Sequence, residues 1–501
     1  MILVWLLVIP TAGGLFAWLL EGVDRKLPKY AALAATVAQL AAAIYLGFHP
    51  LASIAFAWVP QFGIGFILAS DGLSFVLVLL TGFLGVMAAA SAWTQVNERS
   101  GFFHFNLLLA LAGVTGVFLA RDLFLFYFFW EVMLIPTYFL IVLWGSGNRV
   151  HAGAKFFLFT QASGLLMLLA ILALYFIHGR ATGVYTFDYA HLSDTRMSPA
   201  VAMGLMLGFF LAFAVKLGSV PLHSWLPDAY AEAPTGGSVL LAGLLSKTGA
   251  YGLLRFAVPL FLPAAREFSP IAMALGVASI LYGALEAFGQ TDLKKMISYS
   301  SVSQMGFVLL GVFAWNRLAL YGVIMLIVSH GISTGALFIL SGGLQERLDT
   351  RDTGRMGGLW SAMPRLGGAV MLFALASQGL PGLGNFLGEF LVLLGAFQVS
   401  PVLAGIGATG FIASCIYSLW IVQKTIHGKN PEGWAPPDLS IRETAVMVAL
   451  SIAILWLGLY PQPVFTAVRP SVASLLSERA APLPQLGART AAVKDLRGEN
   501  P

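Results

Sequence analysis

Cysteine and charge are both scarce in this sequence. Its 501 residues include one cysteine, Cys415, and only 10% Asp, Glu, Lys and Arg. A single thiol excludes an internal disulfide, a cluster held by several thiolates and a multi-cysteine zinc site. There is no P-loop and no HExxH, no Gly-x-Gly-x-x-Gly opens a strand–helix–strand unit, and no Ser–His–Asp constellation can be argued. Cofactor-binding and metal-binding residues are therefore not expected. The first twenty residues have no basic leader, which argues against a cleaved signal peptide. Lys and Arg outnumber Asp and Glu by 28 to 23. These basic residues are scattered over short connections, so no nucleic-acid patch is expected. What fills the composition is apolar: 58% hydrophobic residues and a mean hydropathy of +0.84, which ordinary soluble domains do not show. The chain reads as an all-α polytopic membrane protein.

Runs long enough to cross a hydrocarbon core fall at 1–20, 30–48, 66–93, 102–120, 122–145, 151–178, 200–227, 235–262, 270–289, 297–313, 318–344, 366–396, 401–423 and 443–460, about fourteen transmembrane helices. Residues 461–501 are a more polar tail with no spanning run, expected to fold on a partner or stay disordered. With the N-terminus outside, the inner loops hold fourteen Lys and Arg and the outer loops five, counted along the sequence. This bias favours both termini on the outer side. Two spans are interrupted by Pro and Gly, at GSVP near Lys216 and at SQGLPGLGN near Glu389. Each is the fourth of a five-helix set, 102–262 and 270–423. Discontinuous helices at matching places in two halves point to an inverted repeat. The expected organisation is 1–101 (three helices), 102–262 (first repeat), 270–423 (second repeat), 443–460 (last helix) and 461–501 (tail).

Ionisable residues inside these runs carry the chemistry. Lys216 and Lys247 each lie about 12 residues, roughly 18 Å of helix, from the polar turn PDAYAEAPTGG, so both ammonium groups fall near mid-membrane. A charge at that depth costs at least ~2.5 kcal/mol and marks function by default. Glu131 sits at similar depth in LFLFYFFWEVMLIPTYFLIVLW, and pairing with Lys216 is the arrangement that keeps both charged. Lys247 has no acid near it in sequence. Glu389 follows the second interruption, and His330 is buried in LYGVIMLIVSHGISTGALFIL; an imidazole accepts and donates, as a relay must. His223 and Lys155 are further relay candidates. The bland readings are a static Glu–Lys pair, a snorkelling lysine and a satisfied core histidine. Ser301, Ser303 and Gln304 line a hydrated path or pack between helices, and Glu286 and Asp292 face a polar loop.

The stretch PLHSWLPDAYAEAPTGGSVLLAGLLSKTGAYGLLRF resembles the signature of the antiporter-like membrane subunits of NADH:quinone oxidoreductase (complex I) and their Mrp-antiporter relatives. KFFLFTQASG, ISYSSVSQMGF, SHGISTGALFILSGGLQERLDTRD, GRMGGLW and QGLPGLGNFLGEF are similar to the subunit M type, called chain 4 in mitochondria. The likeness covers about residues 100–430. It implies fourteen helices in two inverted repeats and proton translocation without a redox centre in this chain. NADH, FMN, iron–sulfur clusters and quinone would belong to other subunits. It also implies neighbours of the L and N types and the bacterial cytoplasmic membrane. By motif, Glu131, Lys216, Lys247, His330 and Glu389 match the family's translocation residues. Two positions depart: Tyr230 and Gln304 stand where the family often has histidine, and neither is expected to titrate. No long lateral helix of the L type is expected. The alternatives are a Mrp-type or membrane-bound hydrogenase subunit, a quinone-site subunit, or a passive scaffold.

Overall fold

The computed structural model describes residues 1–49 and 51–477. Five helices come first: α1 (Ile2–Leu20), α2 (Leu27–Leu46), α3 (Gly72–Ser91), α4 (Ser100–Leu119) and α5 (Leu123–Trp144). Then follow α6 (Arg149–Thr182), the single turn α7 (Tyr189–Leu192), α8 (Pro199–Leu217) and α9 (Trp225–Glu232). The next span is built of α10 (Thr235–Leu240), α11 (Ser246–Gly252) and α12 (Val258–Leu260), joined by widened turns at Leu241–Leu245 and Leu253–Ala257. After it come α13 (Leu262–Gly289), α14 (Leu293–Ala314), α15 (Arg317–Leu348), α16 (Pro364–Ser377), α17 (Gly384–Val399), α18 (Pro401–Thr425), α19 (Ile441–Leu459) and α20 (Gln462–Leu476).

Among the described residues, 12 helices are long and apolar enough to cross a membrane. They coincide with twelve of the expected runs, the interrupted run 200–227 being represented by α8; the other two runs, 235–262 and 366–396, are divided into shorter helices. Helix starts are set by side chains that satisfy the free N–H groups of the first turn. Asp71, Asp122, Asp292 and Asn316 cap α3, α5, α14 and α15 in this way. Asp122 closes the tight α4–α5 joint.

Burial is uneven. The most apolar stretches of α14 and α15 are 94% and 100% buried, against 33% for α1 and α2. α14 and α15 thus lie in the middle of the molecule, while the outer helices turn apolar side chains outward.

Three features differ from the sequence reading. Residues 66–69 do not begin a helix: they belong to a hairpin of β1 (Ser53–Val59) and β2 (Ile64–Ala69), antiparallel, with Phe56 stacked on Phe66. Asp71 starts α3 only after it, and the apolar run Ile64–Ala69 had blurred that boundary. The tail is partly a helix: α20 packs against α3, with Val464, Val468, Val472 and Leu475 buried. The rest of the tail, 478–501, lies outside the described residues. Finally Lys294, read as a loop charge, is 2% exposed within α14.

Candidate functional site

Two interrupted helices and one widened turn bring the buried ions toward α14 and α15. The chain leaves α8 at Gly218 in the left-handed region and resumes helix at Trp225. Val220 N–H donates to Ser279 Oγ of α13 at 2.9 Å, and Trp225 Nε1–H donates back to Val215 O at 2.9 Å. The break therefore has fixed hydrogen-bond partners, as irregular backbone at membrane depth requires.

Lys216, one residue before the end of α8, is 1% exposed and its Nζ has no hydrogen-bond partner among the described residues. The rings of Trp130 and Phe156 stand over it at 5.2 and 5.4 Å, and aromatic faces attract a desolvated cation. Glu131, on α5 beside Trp130, is half-buried and senses Lys216 electrostatically. The two do not close an ion pair, and Glu131 Oε1 is also unpartnered among the described residues. The expected pair is open in this structure. Glu131 Oε1 faces Gly164 of α6, and Tyr127 is its polar neighbour.

Lys247 is the opposite case. It is fully buried, and its Nζ donates to Ala242 O at 2.5 Å and Ser246 Oγ at 3.1 Å and lies 2.8 Å from His330 Nδ1. The widened turn Leu241–Leu245 puts the Ala242 carbonyl within reach. Tyr230 supports that turn by donating to Leu241 O at 3.0 Å. α15 can approach only because residue 331 is glycine: a Cβ there would lie 2.9 Å from Gly243 O and 3.6 Å from Lys247 Cε. His330 Nε2 faces Thr334 Oγ1 at 3.1 Å and Ser301 Oγ of α14 at 3.2 Å. One turn beyond Ser301 on the same face, Gln304 donates to Ser377 O at 3.2 Å and is the polar neighbour of Glu389.

Glu389 is fully buried on α17, and neither carboxyl oxygen has a hydrogen-bond partner among the described residues. It faces the break between α16 and α17. At Gly379, with φ +80°, a Cβ would sit 2.5 Å from Glu389 Oε2, so glycine there serves both the turn and the carboxylate. His223 lies in the α8–α9 break with its ring edge-on to Tyr282 at 4.9 Å and Nδ1 unpartnered among the described residues. Lys155 is tied to Asp228 at 2.8 Å, and Lys295 reaches the same acid at 3.5 Å. The structure thus joins Lys247, His330, Ser301 and Thr334 by direct contacts and sets Lys216 with Glu131, and Glu389 with Gln304, at either side of them. Lys155 and His223 stand apart from that chain.

A family model described as NADH:quinone oxidoreductase/Mrp antiporter, TM matches residues 120–416. The chain belongs to this family. It is 50% identical over 484 residues to NADH-quinone oxidoreductase subunit M of Pseudomonas aeruginosa, covering 93% of this chain and 95% of that one. It is 48% identical over 496 residues to the subunit M of Escherichia coli K12, covering 95% and 97%. Among solved structures it is similar to a chain of respiratory complex I from Thermus thermophilus with bound NADH, at a TM-score of 0.87 and 32% identity, covering 95% and 100%.

Tyr230 and Gln304, which were not expected to titrate, have structural roles. Tyr230 holds the turn beneath Lys247, and Gln304 holds the broken-helix carbonyl of Ser377 beside Glu389. Sequence reasoning missed Thr334 and Ser246. Their one-turn spacing from His330 and adjacency to Lys247 were available signals. It also missed Arg255, which lies in an apolar run and meets Asp71 184 residues away.

Proposed function

We propose that this chain is the M-type proton-translocating subunit of a respiratory NADH:quinone oxidoreductase, coupling quinone reduction elsewhere in the complex to proton movement through its buried ions. The observation that carries the reading is the unbroken contact Lys247–His330–Ser301/Thr334 in the most deeply buried part of the molecule. Names of relatives about half identical over nearly the whole chain support the M type over a Mrp-type or hydrogenase subunit. In this reading NADH, FMN, iron–sulfur clusters and quinone belong to other subunits, and neighbours of the L and N types flank the chain. The chain has fourteen spans when the two irregular ones are included. It is organised as 1–101, two inverted repeats at 102–262 and 270–423, and 443–460, in the cytoplasmic membrane of a bacterium with both termini outside.

The chemistry follows from the contacts. Lys247 Nζ–H donates toward His330 Nδ1; as Nδ1 takes that proton, His330 Nε2 releases its own to the Ser301 or Thr334 hydroxyl, which hands its hydroxyl proton on to water. Gln304 does not titrate, so the stretch to Glu389 is crossed on water oriented by its amide. Glu389 then takes up and releases the proton at the α16–α17 break. On the inner side, a polar cavity of about 350 Å³ lined by Thr94, Gln95, Thr235, Lys294 and Gln345 reaches the start of α10, on the way to Lys247. The open Glu131–Lys216 pair supplies the drive. An ammonium charge brought to ~6 Å of Lys247 raises its energy by about 2.8 kcal/mol at an effective dielectric of ~20, enough to move a proton along.

The test is Glu389. A lysine and a glutamate both exchange one proton, whereas glutamine and alanine cannot. Glu389→Lys is expected to retain substantial NADH-driven proton uptake in vesicles, and Glu389→Gln and Glu389→Ala to lose it, in complexes shown to assemble by native gel. Near-normal uptake in Glu389→Gln would remove Glu389 from the path.

A further inference from the structure

Where α3, α5 and α13 begin, two buried arginines share the carboxylate of Asp71, while the buried carboxylate of Asp122 beside them is taken up by the N–H groups of Gly65, Phe124 and Leu125. These three spans start at one end of the bundle, after Asp71, after Asp122 and at Leu262. Asp71 accepts from the guanidinium of Arg255 and lies 3.4 Å from Nη2 of Arg121. The two arginines are 9% and 3% exposed, and Nε of each has no partner among the described residues. Burial alone would push the Asp71 carboxyl up. Arg255 and Arg121, with the Ser74 N–H, outweigh burial and hold it well below the usual carboxylate range. Asp71 thus supplies one full negative charge to two buried guanidinium groups. Buried charge is retained only where it is matched. A cavity of about 480 Å³ opens beside them, and Arg266, Ser193 and Thr195 also line it. Asp71, Tyr189, Ser474 and Ser477 line it too, and Leu260, Leu262 and Leu475 give it an apolar side.

We propose that this cavity binds the phosphate of an anionic phospholipid, with Arg121, Arg255 and Arg266 as its ligands. Guanidinium forks match phosphate oxygens in geometry and charge. The cavity stands at the level where the apolar spans start, which is where lipid phosphates lie, and its apolar wall suits the glycerol backbone below the headgroup. The lipid supplies the charge that Asp71 leaves unmatched and ties α3, α5 and α13 together at their common end.

Native mass spectrometry of the intact complex tests this, with phosphatidylglycerol and inorganic phosphate added in separate arms. The wild-type complex is expected to keep one phosphatidylglycerol more than a complex carrying Arg266→Gln, whose side chain is exposed and whose assembly is checked by native gel. The affinity should fall at least fivefold in that variant. Asp71→Asn removes the competing carboxylate and should tighten retention, the reverse of what a purely structural ion cluster would do. Equal retention in wild type and Arg266→Gln overturns the proposal. Displacement of the lipid difference by millimolar inorganic phosphate makes it a free-anion site and overturns the lipid assignment. A photoreactive residue at Thr195 should capture phospholipid; capture of a neighbouring protein subunit instead would show that a protein acid fills the cavity.

Discussion

Lys216 and Lys247 are buried lysines at the two ends of one stretch, yet their surroundings share almost nothing. Lys216 has no hydrogen-bond acceptor among the described residues and is held by two aromatic faces, with its acid standing open. Lys247 has three polar partners, one of them the imidazole of His330. A charge held only by ring faces and a distant carboxylate is free to shift when the field around it changes. A charge fixed by three contacts keeps its place and transfers its proton along them. Under the proposed function the difference separates two jobs: Lys216 would sense and push, and Lys247 would conduct.

The largest effect should come from breaking the conducting side. Lys247→Ala removes the donor to His330 and leaves Ala242 O and Ser246 Oγ without their shared partner. Proton uptake driven by NADH oxidation should fall nearly to background while the complex assembles. A normal proton-to-electron ratio in the assembled variant would take Lys247 out of the path. Glu131→Gln comes next. Lys216 then stays buried without any countercharge, a penalty of about 3–5 kcal/mol, and most pumping should be lost. The acid can be moved one turn along α5. Tyr127→Glu, combined with Glu131→Gln, should restore part of the activity, because Tyr127 is half-buried and already interacts with Glu131. Ile135→Glu should not, because Ile135 is 50% exposed on the outward face. Full pumping by Glu131→Gln alone would mean that Lys216 needs no acid.

Much of this was legible from residue type and position. A lysine, glutamate or histidine alone in an apolar run of twenty residues is expected inside, which singled out Lys216, Lys247, His330 and Glu389, all buried, and Glu131, half-buried. Gly and Pro inside the same runs announced the α8–α9 and α16–α17 breaks. Partners were not legible. Lys247 meets His330 across 83 residues and Arg255 meets Asp71 across 184, and no local pattern encodes such encounters. The widened turn at Leu241–Leu245 left no signature either, because its residues LAGLL suit an ordinary helix as well. The hairpin at 53–69 was hidden for a related reason: GFILA joins smoothly to the apolar start of α3, and only the cap at Asp71 divides strand from helix.

The smallest effect should come from the rings around Lys216, and it sharpens the contrast most directly. If Lys216 is held by field and face alone, its position depends on Trp130, whose ring is 5.2 Å from Nζ. A desolvated cation–π contact contributes about 2 kcal/mol. Trp130→Leu keeps an apolar side chain without the face, at the cost of a cavity, and proton uptake of the assembled complex should drop several-fold rather than vanish. Trp130→Phe restores a face and should recover most of it. The matching change on the other side, Phe338→Leu, alters a ring that packs on Tyr230 under the Lys247 turn at 5.9 Å. It should leave uptake nearly unchanged, because the contacts of Lys247 are hydrogen bonds that do not pass through that ring. Equal losses in Trp130→Leu and Phe338→Leu would show that ring packing as such, and not the face presented to Lys216, sets the rate, and the division of labour between the two lysines would fall with it.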